Sequence, residues 1–392
     1  MTIPYVINNT IHIIESIMFV ITAISVIYLF FFALFSMKEN LPKNRAAKKK
    51  NKFLVLFPSY NEDRVIIDSI REFMKQDYPR ELYDVLTISD HMTEKTDEAI
   101  KLLGSELVVA TYENSTKAKA LNLAIEYVGD REYDVVVILD ADNWVDTNFL
   151  DELNNAYYSG SKAIQAHRIA KNRDTGMALL DAVSEEINNS IFRRGHVRVG
   201  MSSALIGSGM AFDYKWFKQN VKYVKTAAED KEIEVLLLKE GIYIDFLNDV
   251  FVYDEKVKNE AVFAKQRRRW MAAQVDTLIT SMRDFPKAVA QGNWDYADKL
   301  FQWMMLPRVM VMGFSLLFAI GMLFIDWVWS IKWWIIFIVL VYSFAMAIPD
   351  FLVDEKLKRT VRKLPLVFLI MFVNIFRIRN ANKKYLHTEK GV

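Results

Sequence analysis

The stretch Asp134-Val-Val-Val-Ile-Leu-Asp-Ala-Asp-Asn143 decides how this chain is read. Four successive β-branched residues and a leucine form a strand apolar on both faces, the signature of a sheet covered by helices on either side. At the carboxyl end of that strand the sequence turns acidic, placing Asp140 and Asp142 where open α/β sheets bind ligands. Working outward, FLVLF at 53–57, DVLTISD at 84–90 and ELVVAT at 106–111 repeat the apolar pattern. Helical spacing predicts helices over about 63–75, up to 103, and over 117–127 between them. The alternation predicts an α/β fold with a mostly parallel sheet. Three polar clusters then fall at strand ends: Pro58-Ser-Tyr60-Asn-Glu62, Asp90, and the Asp140–Asn143 turn.

No GxGxxG or GxxxxGK[ST] pattern occurs, which disfavours a dinucleotide site or a P-loop. An acidic crevice repels phosphate unless a hard divalent cation stands between them, and Mg²⁺ or Mn²⁺ takes oxygen ligands of this kind. Asp140 and Asp142 are therefore candidate metal ligands holding a diphosphate. Glu229 and Asp230 begin a further helix. There they either favour the helix dipole or supply a general base. In Gln266-Arg267-Arg268-Arg269-Trp270 successive side chains point about 100° apart. Some of these arginines meet phosphate or headgroups, and Trp270 offers a flat face to a sugar or to the core.

The 392 residues are 52% hydrophobic and 25% charged, with 50 basic against 48 acidic side chains. This composition excludes a disordered polyelectrolyte and argues against a wholly intramembrane bundle. With no cysteine, thiolate catalysis and Cys-ligated zinc are excluded. Ser16–Met37 carries no charge and is long enough to cross a bilayer. Lys38, Lys43, Arg45 and Lys48–Lys50 follow it, orienting the amino terminus outward. Val309–Ile325 and Trp333–Pro349 form a second spanning unit, a hairpin joined by a Trp-rich connection at 326–332. Leu364–Phe376 is too short to cross and is expected at the interface, as is 293–308, although that segment equally fits an amphipathic helix on the soluble domain. The expected organisation is thus a membrane helix at 1–37, a basic linker at 38–52, a cytoplasmic catalytic domain at 53–285, an interfacial helix at 286–308, a hairpin at 309–349 and an interfacial helix with a basic tail at 350–392. His12 and Glu15 are expected at the outer edge of the first helix, His91 in a surface loop, and Glu185 and Glu186 in solvent. His167 with Arg168, and His196 with its neighbouring arginines, are read chiefly as structural.

Seven motifs in order resemble the membrane-bound inverting family 2 glycosyltransferases, which include cellulose, hyaluronan and chitin-oligosaccharide synthases and ceramide glucosyltransferase. They are PSYNE at 58–62, Asp90, TKAKALN at 116–122, DAD at 140–142, GSGMAF at 207–212, AED at 228–230 and QRRRW at 266–270. The resemblance implies a GT-A nucleotide-sugar domain. Pro58, Tyr60, Glu62 and Asp90 would hold the nucleotide, Lys117 the nucleotide-sugar, and Asp140 and Asp142 the diphosphate and its Mg²⁺ or Mn²⁺, with Asp142 the direct ligand. Asp230 would be the catalytic base. Gln266 and Arg269 would line the diphosphate, and Gly207, Ser208, Gly209, Glu229 and Trp270 the acceptor end. Thr116 and Ala228 depart from the family's usual Gly and Thr without removing a charge. The partners so implied are a UDP-sugar, a glycan or lipid acceptor and membrane lipids, with no nucleic acid; self-association and secretion partners stay open. A multi-pass protein of the inner or plasma membrane is expected. It would make an extracellular β-linked polysaccharide or oligosaccharide processively; alternatives are transfer of one sugar to a membrane lipid and a degenerate scaffold.

Overall fold

The computed structural model describes residues 5–37 and 44–377. Lys38, Lys43 and the basic tail beyond Arg377 lie outside them. The sheet has eight strands: β1 (Phe53–Tyr60), β2 (Tyr83–Asp90), β3 (Glu106–Ala110), β4 (Val135–Ile138), β5 (Trp144–Val145), β6 (Ala163–Ala170), β7 (Met210–Asp213) and β8 (Ile244–Asp254). Their order is β3-β2-β1-β4-β7-β6-β8-β5. The first four are parallel, β7 runs antiparallel between β4 and β6, β6 and β8 are parallel, and β5 caps the edge antiparallel to β8. The expected α/β architecture with a mostly parallel sheet is therefore the observed one.

Burial explains why the parallel half forms. Side chains alternate between two cores: Leu54, Leu56, Leu86, Val136 and Ile138 face one, and Phe53, Val55, Phe57, Val135 and Val137 face the other. Tyr60 pairs in register with Asp90, so the polar residues after β1 and β2 emerge side by side. The segment before β1 is no free linker: Lys50 ion-pairs with Asp151, and the Lys52 N–H donates to Asp134 at 2.8 Å.

Two helices among the described residues are long and apolar enough to cross a membrane, His12–Ser36 and Trp327–Ala347. The pair Trp294–Met304 and Arg308–Met322, bent by 56°, could form a third span. Helix Arg308–Met322 packs on Trp327–Ala347 as the hairpin reading expects. The Trp-rich stretch, however, is the first turn and a half of the second helix, started by Asp326 accepting from the Val328 N–H at 3.0 Å. Residues Tyr296, Leu300 and Trp303 of the bent pair belong to the core on one face of the sheet. Glu15 is not at a wet edge. It is 2% exposed, accepts from Lys332 at 2.9 Å and from the Trp333 indole N–H, and so is neutralised inside the helix packing. The backbone of the first helix also closes on the domain, since a Cβ at Gly195 would strike the Phe32 carbonyl.

Candidate active site

The strand ends open into one cavity of about 1200 Å³. At one side lie Pro58, Tyr60, Glu62 and Asp90. The chain leaves β1 and β2 through left-handed residues, Asn61 at φ 54° and His91 at φ 57°. Such backbone is uncommon outside glycine and is tolerated best by Asn, Asp and His. It lets the Asn61 N–H donate to the Asp90 carbonyl at 2.9 Å and turns both loops toward the crevice. The Asp90 carboxylate is buried and bonded to His91 Nδ1 at 2.6 Å, so His91 orients Asp90 although its own ring is half exposed.

Lys117 occupies the centre. Thr116 caps its helix, accepting from the Lys119 N–H at 3.2 Å, which accounts for Thr at this position and fixes Lys117 in the first turn. The ammonium lies 2.5 Å from Asp140 and 3.4 Å from Glu229, and donates to the Gly207 carbonyl. Burial disfavours the lysine's charge, but Asp140 and Glu229 outweigh it and hold its pKa above the usual value. For Glu229 burial dominates: against the pull of Lys117, and with help from Asp230 and Asp140, its carboxyl is pushed up to about 7. Asp230, next along the helix, lines the cavity.

Asp140, Asp142 and Asp254 each offer an oxygen within 4.8 Å of the others. An octahedral ion with bonds of about 2.1 Å links oxygens about 3–4 Å apart, so a small closure lets all three share one. The donor set is hard oxygen, as Mg²⁺ and Mn²⁺ prefer. Asp142 is fully buried and accepts from the Glu255 N–H at 3.1 Å, and Asp254 accepts from Lys256 at 2.9 Å. Sequence reasoning missed Asp254. Its only signal is its place at the end of β8, the same strand-end logic that found Asp90 and Asp140.

Gly207, Ser208 and Gly209, expected together at the acceptor end, do not all reach the cavity. Gly207 lines the cavity, whereas Ser208 and Gly209 lie behind it. Ser208 Oγ accepts from the Asp140 N–H at 2.9 Å and bonds Asn143, bracing the acidic turn. Gly209 is required by space: at φ +66° an added Cβ would lie 2.8 Å from Val252. Glu229, Gln266, Arg269 and Trp270 all reach the cavity wall. The solvent reading of Glu185 and Glu186 is also wrong. Both are buried; Glu185 accepts from Arg168 at 2.9 Å and Arg193 at 3.1 Å, and Glu186 bonds His167 at 3.1 Å. His196, stacked on Phe32 at 3.6 Å and bonded to Tyr28, is structural as read.

A strand-end crevice with Asp140 and Asp254 on its wall, and Asp142 buried beside them, defines on this sheet a GT-A-like glycosyltransferase fold. The chain belongs to glycosyl transferase family group 2, whose model matches residues 135–346. Among solved structures it resembles a mannosyltransferase of Pyrobaculum calidifontis in complex with GDP-Man and Mn²⁺, at TM-score 0.52 and 16% identity, covering 84% of this chain and 98% of that one. Curated relatives include the probable glycosyltransferase YdaM of Bacillus subtilis, 20% identical over 64% of this chain and 62% of the relative. Another is a dolichyl N-acetyl-α-D-glucosaminyl phosphate 3-β-D-2,3-diacetamido-2,3-dideoxy-β-D-glucuronosyltransferase of Methanococcus voltae, 24% identical over 48% of this chain and 61% of the relative. The matches thus span about three fifths of each relative's length.

Proposed function

We propose that this protein is a membrane-bound inverting transferase that moves a sugar from a nucleoside diphosphate, a UDP-sugar foremost, onto a lipid acceptor held at the membrane. The observation that carries this reading is the continuity of the cavity. It joins the carboxylate cluster to walls supplied by both membrane-length helices, through Leu29 on one and Phe344 on the other. The M. voltae relative, named for a dolichyl-linked acceptor, supports the same acceptor class. The catalytic domain, about 53–285, would lie on the cytoplasmic side with 286–308 along the membrane surface.

Asp140, Asp142 and Asp254 would hold Mg²⁺ or Mn²⁺, which when bound neutralises the charge developing on the diphosphate leaving group. Tyr60, Glu62 and Asp90 would hold the nucleoside. Lys117, now bridging Asp140 and Glu229, is the cation placed to follow the leaving phosphates. Asp230 would take the proton of the acceptor hydroxyl as its oxygen attacks the anomeric carbon opposite the leaving group, so an α-linked donor gives a β-linked product. A second reading, continued extension of a glycan, is favoured by Trp270 on the cavity wall, which offers a ring to a sugar already attached. The test is turnover by the full chain in nanodiscs carrying a lipid extract, with radiolabelled UDP- and GDP-sugars and Mn²⁺. A single labelled glycolipid is expected. A ladder of products supports the second reading, and no transfer from any donor refutes both.

A further inference from the structure

The wall of the same cavity also carries two arginines, Arg267 and Arg308, that the donor chemistry above does not use. Arg308 opens the helix Arg308–Met322, and its Nη2 donates to the Ser184 carbonyl at 3.0 Å and hydroxyl at 3.2 Å. Its Nη1 is buried with no hydrogen-bond partner. The charged groups near it are Arg267, Arg193 and Glu185. Glu185, the one acid among them, is already shared by Arg168, Arg193 and Lys256. Arg267 bonds Asp181 through Nη2 and lies over the Trp270 ring at 4.3 Å, but its Nε is likewise buried and unpartnered. Arg267 and Arg308 both line the cavity, and of the two only Arg267 has an acid of its own among the described residues, so an anion held between them would restore the balance of charge.

The surroundings say what kind of anion. Asp181 and Ser184 sit on helix Gly176–Asn188, whose Leu179, Val183 and Ile187 pack into the cluster formed by the two membrane-length helices. Beyond the arginines the cavity wall turns apolar, with Met312, Phe344, Val367 and Met371. A paired cationic spot with an apolar continuation fits an amphiphile whose head is a phosphate, and guanidinium forks match phosphate oxygens.

We infer that Arg267 and Arg308 form a subsite for the phosphate of a lipid-phosphate acceptor, with its chain leaving along the apolar wall. This rests on the lipid-acceptor reading above and narrows it to phosphate-bearing lipids. The probes are farnesyl phosphate, farnesol and inorganic phosphate, each titrated into the full chain in phosphatidylcholine nanodiscs. Farnesyl phosphate is expected to bind at least tenfold more tightly than either of the others. Arg308→Gln should lose at least tenfold of that affinity and Arg308→Lys regain part of it, while Mn²⁺-dependent nucleotide binding, which reports a folded domain, stays unchanged. If Arg308→Gln does not fold, Arg267→Gln and the wild-type comparison decide. Equal binding of farnesol overturns the inference, and so does a nucleotide-competent Arg308→Gln that binds farnesyl phosphate normally. Inorganic phosphate binding as tightly as farnesyl phosphate marks a free-anion site and also overturns it. Transfer of sugar to a phosphate-free lipid such as diacylglycerol, with no use of a lipid phosphate, would defeat this subsite while leaving the lipid-acceptor reading intact.

Discussion

The two halves of the sheet differ in how they are made and in what they contribute. The half β3-β2-β1-β4 is parallel, its inner strands β2, β1 and β4 buried on both faces, and it ends in short polar motifs at one side of the cavity. The half β7-β6-β8-β5 mixes directions, is broken by a bulge between Ala166 and His167, and supplies the third aspartate and the brace behind the acidic turn. The proposed donor site is therefore a joint between a regular half and an irregular one, and each half can be tested by injuring it alone.

The largest effect is expected from Asp142→Asn and Asp254→Asn, one in each half. Both should abolish divalent-dependent turnover and Mn²⁺ binding measured by calorimetry; full activity in Asp254→Asn would show that the irregular half contributes no ligand. Asp230→Asn comes next, with kcat falling roughly 10²–10⁴-fold as for loss of a general base, and nucleotide affinity retained. Normal turnover in that variant would remove Asp230 from the reaction. Gly209→Ala should destabilise the fold by about 2–4 kcal/mol, from a left-handed backbone plus a clash with Val252, read from denaturant midpoints.

Glu229→Gln tests the centre through pH. The Glu229 carboxyl ordinarily titrates near 4.5 and is raised to about 7 here, so the folded state holds its proton where the unfolded chain has released it. Stability from this group is full below about 4.5 and is lost as pH rises through about 7. The wild type should therefore lose stability across that window, and Glu229→Gln should flatten the loss; an unchanged slope would contradict the burial of a coupled carboxyl. The smallest effect belongs to Thr116→Ala, about 1 kcal/mol for a lost helix cap.

The regular half was legible because its strands carry short apolar runs, FLVLF and VVVI the clearest, each followed by a turn or a helical pattern, and four strands and three strand-end clusters follow from that pattern. The irregular half was not, for definite reasons. Strand β8 reads IDFLNDVFVYD, with Asp245, Asn248 and Asp249 breaking any alternation, so no strand pattern draws attention to Asp254 at its end. Glu185 and Glu186 looked solvated because adjacent glutamates on a helix usually are. Their partners, the adjacent His167 and Arg168 together with Arg193 and Lys256, come from three separate places in the chain, and only the fold brings them together. Gly207, Ser208 and Gly209 were recognisable as a motif, but which of them faces the cavity depends on the β4–β7 pairing.

The seat of the first helix at Gly195 has a consequence for biosynthesis. That helix leaves the ribosome before the sheet, yet the backbone it closes on is made only after six strands have followed. During translation its inner face, including Leu29 and Phe32, must stay covered by lipid or by a chaperone until the late segment arrives. A chain trimmed of its first helix would expose the same apolar seat to water, so that truncation is expected to yield aggregates rather than a freely soluble protein.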